Sequence, residues 1–268
     1  MKTFSMAVFA ADTPKPSLWE TVVKNSLFVL AFFGIIVLMF LIAFILEKIC
    51  TGKNTDNKKE KFFTTKKMAI IGLLSAMAAV LMILDFPIPL IPGGIYKFDF
   101  SELPVMIGAF AFGPATGVVT EFIKIVLKLL IKGTSTAFIG ELANFVVGCS
   151  FVIPAATIYM FKKTKKRAIV SCVIATISMT AFSMLFNWLY LIPAFMELFH
   201  TTMDKIVAMG TEANESIVDE ASFILLATGP FNLLKGIAIS IITIVVYKPL
   251  SRFIKGNSVG TEIKKGTA

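Results

Sequence analysis

The chain has 268 residues, 56% of them hydrophobic and 16% charged, with a mean hydropathy of +0.83. Those values exclude an ordinary water-soluble domain and imply an integral membrane protein, all-α because its apolar segments have the length of spanning helices. The formal net charge of +9 would suggest nucleic acid in a soluble domain, but here the cations sit in short loops and report topology instead.

The first dozen residues, Lys2 followed by the apolar Phe4 to Ala11, are compatible with a short signal peptide or with an amphipathic lead-in. Both place the N-terminus outside. Seven apolar segments follow, at about Leu27 to Leu46, Met68 to Leu84, Ser101 to Phe112, Pro114 to Ile131, Ala137 to Phe161, Ala168 to Phe195 and Ser222 to Tyr247. Basic clusters come after the first (Lys48, Lys53, Lys58, Lys59, Lys61, Lys66, Lys67), the fifth (Lys162, Lys163, Lys165, Lys166, Arg167) and the seventh (Lys248, Arg252, Lys255, Lys264, Lys265). Cytoplasmic loops carry the excess of Lys and Arg, so the parity fits seven spans, an outside N-terminus and a cytoplasmic C-terminus. The acidic loop from about Met196 to Ala221 is then extracytoplasmic.

The predicted organisation is an N-terminal lead and extra transmembrane helix (1–50), a basic cytoplasmic linker (51–67), a six-helix body (68–255) and a cytoplasmic tail (256–268). The leading helix is nearly uniform in Phe, Leu, Ile and Val, which suits an anchor or a partner-docking accessory and offers no chemistry. Cys50, Cys149 and Cys172 have no metal or disulfide spacing and read as packing residues.

In the second segment, Gly72-x-x-x-Ala76 and Ser75-x-x-x-Ala79 put small residues on helix faces and allow close backbone approach, to a partner or within the bundle. The next stretch, Asp85 to Tyr96, carries Pro87, Pro89 and Pro92 and is non-helical. Its Phe86, Ile88, Leu90, Ile91 and Tyr96 predict a loop folded inward over the bundle, as a lid or a structural plug. Ser101 is positioned to N-cap the next helix and Glu102 to favour its positive end. Capping leaves Lys97 and Asp99 unexplained. In the fourth segment Glu121, Lys124 and Lys128 share one face, where they either pair along the helix and snorkel or reach toward a ligand.

Asn232 and Lys235 lie near the middle of the last segment and share a helix face. A Lys at such a depth costs about 2.5 to 3.5 kcal/mol on insertion scales, so it faces a protein interior or a watery cavity. Glu141 and Asn144 have the same spacing in the fifth segment. Pairing of Glu141 with Lys235 is one alternative, and contact of these polar groups with a ligand is the other.

The order of Phe86-Pro87-Ile88-Pro89, Lys97-Phe98-Asp99-Phe100-Ser101-Glu102-Leu103-Pro104, Gly108-Ala109-Phe110-Ala111-Phe112-Gly113-Pro114-Ala115-Thr116-Gly117, Gly140-Glu141-Leu142-Ala143-Asn144-Phe145 and Pro230-Phe231-Asn232-Leu233-Leu234-Lys235-Gly236 resembles the substrate-binding S component of energy-coupling factor (ECF) vitamin transporters, in its riboflavin-specific branch. The resemblance covers about residues 66 to 255. It implies a six-helix membrane protein that takes a vitamin from outside and has no motor of its own. A membrane coupling protein and two ABC ATPases would be its partners, with riboflavin as transported ligand and no cofactor. In agreement, no phosphate-binding Gly-x-x-x-x-Gly-Lys-Ser/Thr loop occurs in the chain.

By that resemblance Asn144, Asn232 and Lys235 match polar ligand-contacting positions, joined as candidates by Glu141, Lys97 and Asp99 and by Leu90 and Tyr96 of the apolar loop. Gly72, Ser75, Ala76 and Ala79 would meet the coupling protein. A Lys and two carboxamides can satisfy a flavin edge, since an amide both donates and accepts. FMN or a different vitamin is the alternative cargo. An intramembrane enzyme is a poor fit: there is no His-Glu-x-x-His, and the single histidine, His200, lies in an outer loop. The usual S component has six spans, so residues 1 to 65 stand apart from the resemblance.

Overall fold

A computed structural model describes residues 26–53, 64–88, 96–134, 136 and 138–255. The leading segment at 1–25, the linker core 54–63, the loop tip 89–95 with Leu90, and the tail 256–268 lie outside the described residues.

All seven apolar segments are helical. Helix α1 (Ser26–Lys53) is followed by α2 (Thr65–Ile83), which starts at Thr64 because its hydroxyl accepts from the Lys67 N–H. A two-residue antiparallel ladder, β1 (Phe86–Pro87) with β2 (Lys97–Phe98), closes the base of the proline-rich loop. Helix α3 (Glu102–Phe112) turns at Gly113 directly into α4 (Pro114–Lys132). Gly113 has φ +107°, a backbone region that a side chain disfavours, and Pro114 supplies the ready-set first residue of α4. Helix α5 (Ile139–Phe161) leads to α6 (Lys165–Phe186), capped by Thr164.

The last two segments are not uniform helices. A π-turn at Asn187–Leu191 joins α6 to α7 (Ile192–Phe199), and after α8 (Met203–Thr211) a second π-turn at Ile224–Thr228 joins the short α9 (Glu220–Phe223) to α10 (Gly229–Lys255). An Asp219–Ser222 capping box starts α9.

Among the described residues five helical stretches are long and apolar enough to cross a bilayer: Phe33–Gly52, Thr65–Ile83, Ile139–Phe161, Lys165–Glu197 and Glu220–Val246. The other two of the seven segments differ for physical reasons. Helix α3 has 11 residues, too few for a core about 30 Å thick, and α4 carries Glu121, Lys124, Lys128 and Lys132.

Outward faces of α1, α6 and α10 present Leu30, Val37, Leu41, Val173, Ile177, Ile241 and Val245, as lipid contact requires. Inside, Val105, Phe110, Phe151, Met179 and Ile239 knit α3, α5, α6 and α10 together, while Met39 and Ala43 seat α1 against Val118, Phe145 and Cys149 of α4 and α5. A third apolar cluster, Phe98, Ile206, Ile217, Phe223 and Phe231, roofs the end that holds the proline-rich loop. All three cysteines are buried.

The leading helix does have chemistry, contrary to the sequence expectation. Glu47 Oε2 accepts from the Ala115 N–H at 2.9 Å, and Glu47 Oε1 lies 3.8 Å from Lys67 Nζ. The carboxylate satisfies one of the orphan N–H groups at the start of α4, where the helix dipole favours negative charge.

Candidate functional site

Lys235 is buried, as expected of a mid-span lysine, but its partners are not those weighed from sequence. Its Nζ donates to Asp99 Oδ2 at 3.1 Å and to Glu102 Oε1 at 3.2 Å. Glu141 is occupied elsewhere. Lys128 Nζ lies 2.5 Å from Glu141 Oε1, and the hydroxyls of Thr134 and Thr136 donate to Glu141 Oε2 at 2.9 and 3.2 Å. The Glu141–Lys235 pair is therefore not formed.

Lys124 is the hub of the first cluster. Fully buried on α4, its ammonium lies 3.5 Å from Glu102 Oε1 and 2.5 Å from Glu121 Oε1, and donates to Ser101 Oγ at 3.0 Å. The Glu121 contact is an ion pair by distance, in the buried set with Glu102 and Asp99. Three carboxylates thus face two ammoniums in a space closed to water. Isolated, each charge would carry a desolvation cost of several kcal/mol, so the groups persist only as a set.

Ser101 belongs to this set and does not cap α3 with its side chain. Asp99 binds one position earlier, its Oδ1 accepting from the N–H of Ser101 itself at 2.8 Å. Burial alone would raise the Asp99 carboxyl. The ammoniums of Lys235 and Lys124, with the Ser101 hydrogen bonds, outweigh it and hold Asp99 below the usual carboxylate range.

Lys97 parts company with Asp99. The strand turns it outward, its side chain is 49% exposed, and its Nζ lies 3.6 Å from Asp85, which Lys132 also contacts at 3.2 Å. Lys97 thus helps tether the loop base to the end of α4 and stays outside the buried cluster.

Tyr96 has a polar role beyond the apolar cover expected of it. Its ring stacks on Phe231 with centroids 5.0 Å apart, and its hydroxyl meets Thr228 Oγ1 at 2.6 Å and Asn187 Oδ1 at 3.2 Å. Thr228 and Asn187 belong to the two π-turns. Burial pushes the Tyr96 hydroxyl up to about 12 against the opposing hydrogen bond from Thr228, so it stays protonated and able to donate.

Asn232 and Asn144 make one protein hydrogen bond each, through Nδ2 to the carbonyl four residues earlier, Thr228 at 2.9 Å and Gly140 at 2.9 Å. Among the described residues neither carboxamide oxygen accepts a bond. Asn187 differs, because its amide donates to Ser183 O at 2.7 Å while its oxygen is taken by Tyr96. Among the described residues no hydrogen bond joins Asn144 to the Lys235 cluster. What relates the two is α4, on which Lys124 and Lys128 stand one turn apart and hold the Glu102 and Glu141 clusters respectively.

Sequence reasoning left Ser101 and Glu102 as capping residues and did not join Glu121 and Lys124 to Lys235, although the pairing of Glu121 with Lys124 along the helix that it weighed is formed, while Lys128 reaches Glu141. The available signal was stoichiometric: Lys124, Lys128 and Lys235 inside apolar segments demand carboxylates, although Asp99 and Glu102 stand 136 and 133 positions from Lys235. The paired small-residue motifs of α2 also separate. Ser75 and Ala79 are buried, Ser75 donating to Thr120 O at 3.4 Å, so internal packing claims them. Gly72 and Ala76 remain on the exposed face with Leu73, Met77 and Val80.

Among the described residues no group of three or more His, Cys, Asp or Glu could hold a metal ion. One open cleft of about 380 Å³ lies elsewhere, between α1, α5 and α6, and is lined by no charged residue. It has none of the polar groups of the cluster.

Comparisons with known proteins are concordant. Residues 66–247 match the family described as ECF transporter, substrate-specific component. The chain is 35% identical over 190 residues to the riboflavin transporter RibU of Staphylococcus aureus (strain TCH60), covering 71% of this chain and 93% of that protein. It is 31% identical over 191 residues to the riboflavin transporter FmnP of Bacillus subtilis (strain 168), covering 71% and 94%. A solved structure of the S component of a bacterial ECF transporter superposes with a TM-score of 0.55 at 33% identity, over 71% of this chain and 98% of that one.

Proposed function

The chain belongs to the family of ECF transporter substrate-specific components, and from that premise we propose that it captures riboflavin outside the cell and delivers it inward. The family is a substrate-binding transporter component and not an enzyme. A membrane coupling protein and two ABC ATPases supply the motion and the energy. The protein sits in the bacterial plasma membrane with its N-terminus outside and its C-terminus cytoplasmic, an orientation supported by the basic clusters after α1 and α5 and by the acidic stretch 196–221.

The observation that carries the cargo assignment is the pair of unclaimed carboxamide oxygens on Asn144 and Asn232, one turn from Lys235 in the latter case. A flavin ring edge carries carbonyl and ring-nitrogen acceptors around one N–H. Lys235 and the free amide hydrogens donate to the acceptors, and an amide oxygen takes the N–H. Asp99 and Glu102 hold the Lys235 ammonium in place, a positioning role. Tyr96 and Leu90 belong to the loop that covers the ring, in keeping with a mostly apolar site that has a few placed polar groups. Glu141 with Lys128 steadies the end of α5 beside Asn144.

FMN is the second cargo considered, and the excess of carboxylates over ammoniums beside Lys235 disfavours its phosphate there. Residues 68–255 form the vitamin-binding body, and Gly72 and Ala76 on α2 offer the face for the coupling protein.

The test is purification in detergent from cells fed riboflavin. Yellow protein with quenched flavin fluorescence and one riboflavin per chain is expected. Colourless protein that fails to take up riboflavin at micromolar concentrations would overturn the assignment.

A further inference from the structure

We propose that the cleft between α1 and the α5–α6 pair is a binding site for one anionic phospholipid, with an acyl chain in the cleft and the headgroup on the basic rim at its end. The cleft belongs to the leading helix and is independent of the vitamin site. Met39, Ile42 and Leu46 line it from α1, and Ile153, Pro154 and Phe182 from α5 and α6. Along α5 it runs from Cys149 to Ile158, about 13 Å at 1.5 Å per residue, the dimensions of part of one acyl chain. It opens on the outer surface of the bundle, where a bilayer offers hydrocarbon.

The rim chooses the lipid. Cys50 Sγ, 3.9 Å from Thr157 O, marks where α1 and α5 come together at the base of the cleft. Lys48 lies two residues beyond the lining residue Leu46, and Lys162 five residues, about 7 Å, beyond Thr157. Lys165, Lys166 and Arg167 follow at the start of α6. All five are exposed, and none is in an ion pair among the described residues. Glu47, the acid on this part of α1, is turned inward to Ala115 and Lys67. An apolar slot ending at five cations that no carboxylate pairs among the described residues fits a phosphodiester headgroup, and a zwitterionic lipid would gain little there.

The experiment uses the full chain, delipidated in detergent, with phosphatidylglycerol and phosphatidylcholine of identical acyl chains as probes, read by native mass spectrometry and thermal unfolding. One phosphatidylglycerol per chain should bind, raising the unfolding temperature above that reached with phosphatidylcholine. Lys162→Gln with Lys166→Gln should weaken phosphatidylglycerol binding roughly fivefold for each cation removed, leaving phosphatidylcholine unaffected. Ser178→Phe, on the cleft wall, should abolish the one-to-one phosphatidylglycerol adduct, with helical circular dichroism and monodisperse elution showing that the variant folds. Equal effects of the two lipids would overturn the proposal. So would full phosphatidylglycerol binding by a folded Ser178→Phe protein, or a dimer whose interface covers the cleft. Should Ser178→Phe not fold, Ile42→Trp fills the same cleft from α1 and is read in the same way.

Discussion

Lys235 and Asp99 stand 136 positions apart and meet at 3.1 Å between Nζ and Oδ2, joining the last long helix to the base of the proline-rich loop. One ammonium therefore fixes the loop base and, on the proposed function, also faces the ligand. Lys235→Ala leaves Asp99 and Glu102 with Lys124 as their remaining ammonium, and breaking a buried pair costs about 3 to 5 kcal/mol. Asn232→Ala should cost stability under about 1.5 kcal/mol, because its protein bond is one neutral hydrogen bond. Both should lose riboflavin affinity at least tenfold (about 1.4 kcal/mol). Thermal unfolding and fluorescence titration on the same preparations separate the two, and unchanged affinity in both variants would return these residues to internal pairing.

Gly148→Ala tests the buried charge set without removing a charge. A Cβ at Gly148 would collide with the Glu121 carboxylate and drive it against Lys124. Overpacking of this kind costs about 1 to 3 kcal/mol. Gly72→Ala, with nothing within 4 Å of the added methyl, should leave the unfolding temperature unchanged or raise it, and is the control.

Tyr96→Phe keeps the stacking on Phe231 and removes the hydroxyl bonds to Thr228 and Asn187. A loss of about 1 to 2 kcal/mol is expected at neutral pH. The hydroxyl ionises at about 12 when folded against 10.0 ordinarily, so the folded state holds its proton more tightly. Its contribution is complete below pH 10 and is lost as pH rises toward 12. Denaturation at stepped pH should show wild type losing more stability than Tyr96→Phe across that window.

Ala76→Trp and Ala79→Trp should part on α2. The first adds bulk to an exposed face, so riboflavin binding should survive while assembly with the coupling protein fails. The second drives an indole into a packed interior and should destabilise the bundle. Co-purification with the coupling module checks the first, and thermal unfolding the second.

Glu47→Gln should lower the unfolding temperature by the equivalent of about 1 kcal/mol, since an amide still accepts from the Ala115 N–H but no longer complements Lys67 or the helix dipole. Gly113→Ala should cost more, because φ is +107° and the new methyl would sit 2.8 Å from Glu47 Oε2 and 2.9 Å from Met160 Sδ. A Gly113→Ala protein as stable as wild type would contradict the described turn.

The helices were legible because length and hydropathy decide them in a bilayer: each of the seven apolar segments is helical. Partners were less legible. Glu141 and Asn144 share with Asn232 and Lys235 a spacing that suggests pairing across the bundle, yet spacing on one helix says nothing of which helix lies opposite. Asp99 and Glu102 reach Lys235 because the loop base folds back over α10, a tertiary event with no local sequence signal. The π-turns were invisible too, since a single extra residue in a turn does not disturb an apolar run.

Those two π-turns act as phase shifters. The i→i+5 bonds from Ile192 N–H to Asn187 O and from Gly229 N–H to Ile224 O each accommodate one residue more than an α-helical turn would. One residue is about 100° of helix rotation. The azimuth at which Asn232 and Lys235 leave α10 is thus set upstream, at Ile224–Thr228, before either residue is reached. Lengthening or shortening that turn by one residue upstream of Thr228 would barely alter composition and hydropathy, and would turn the lysine about 100° away from Asp99 and Glu102.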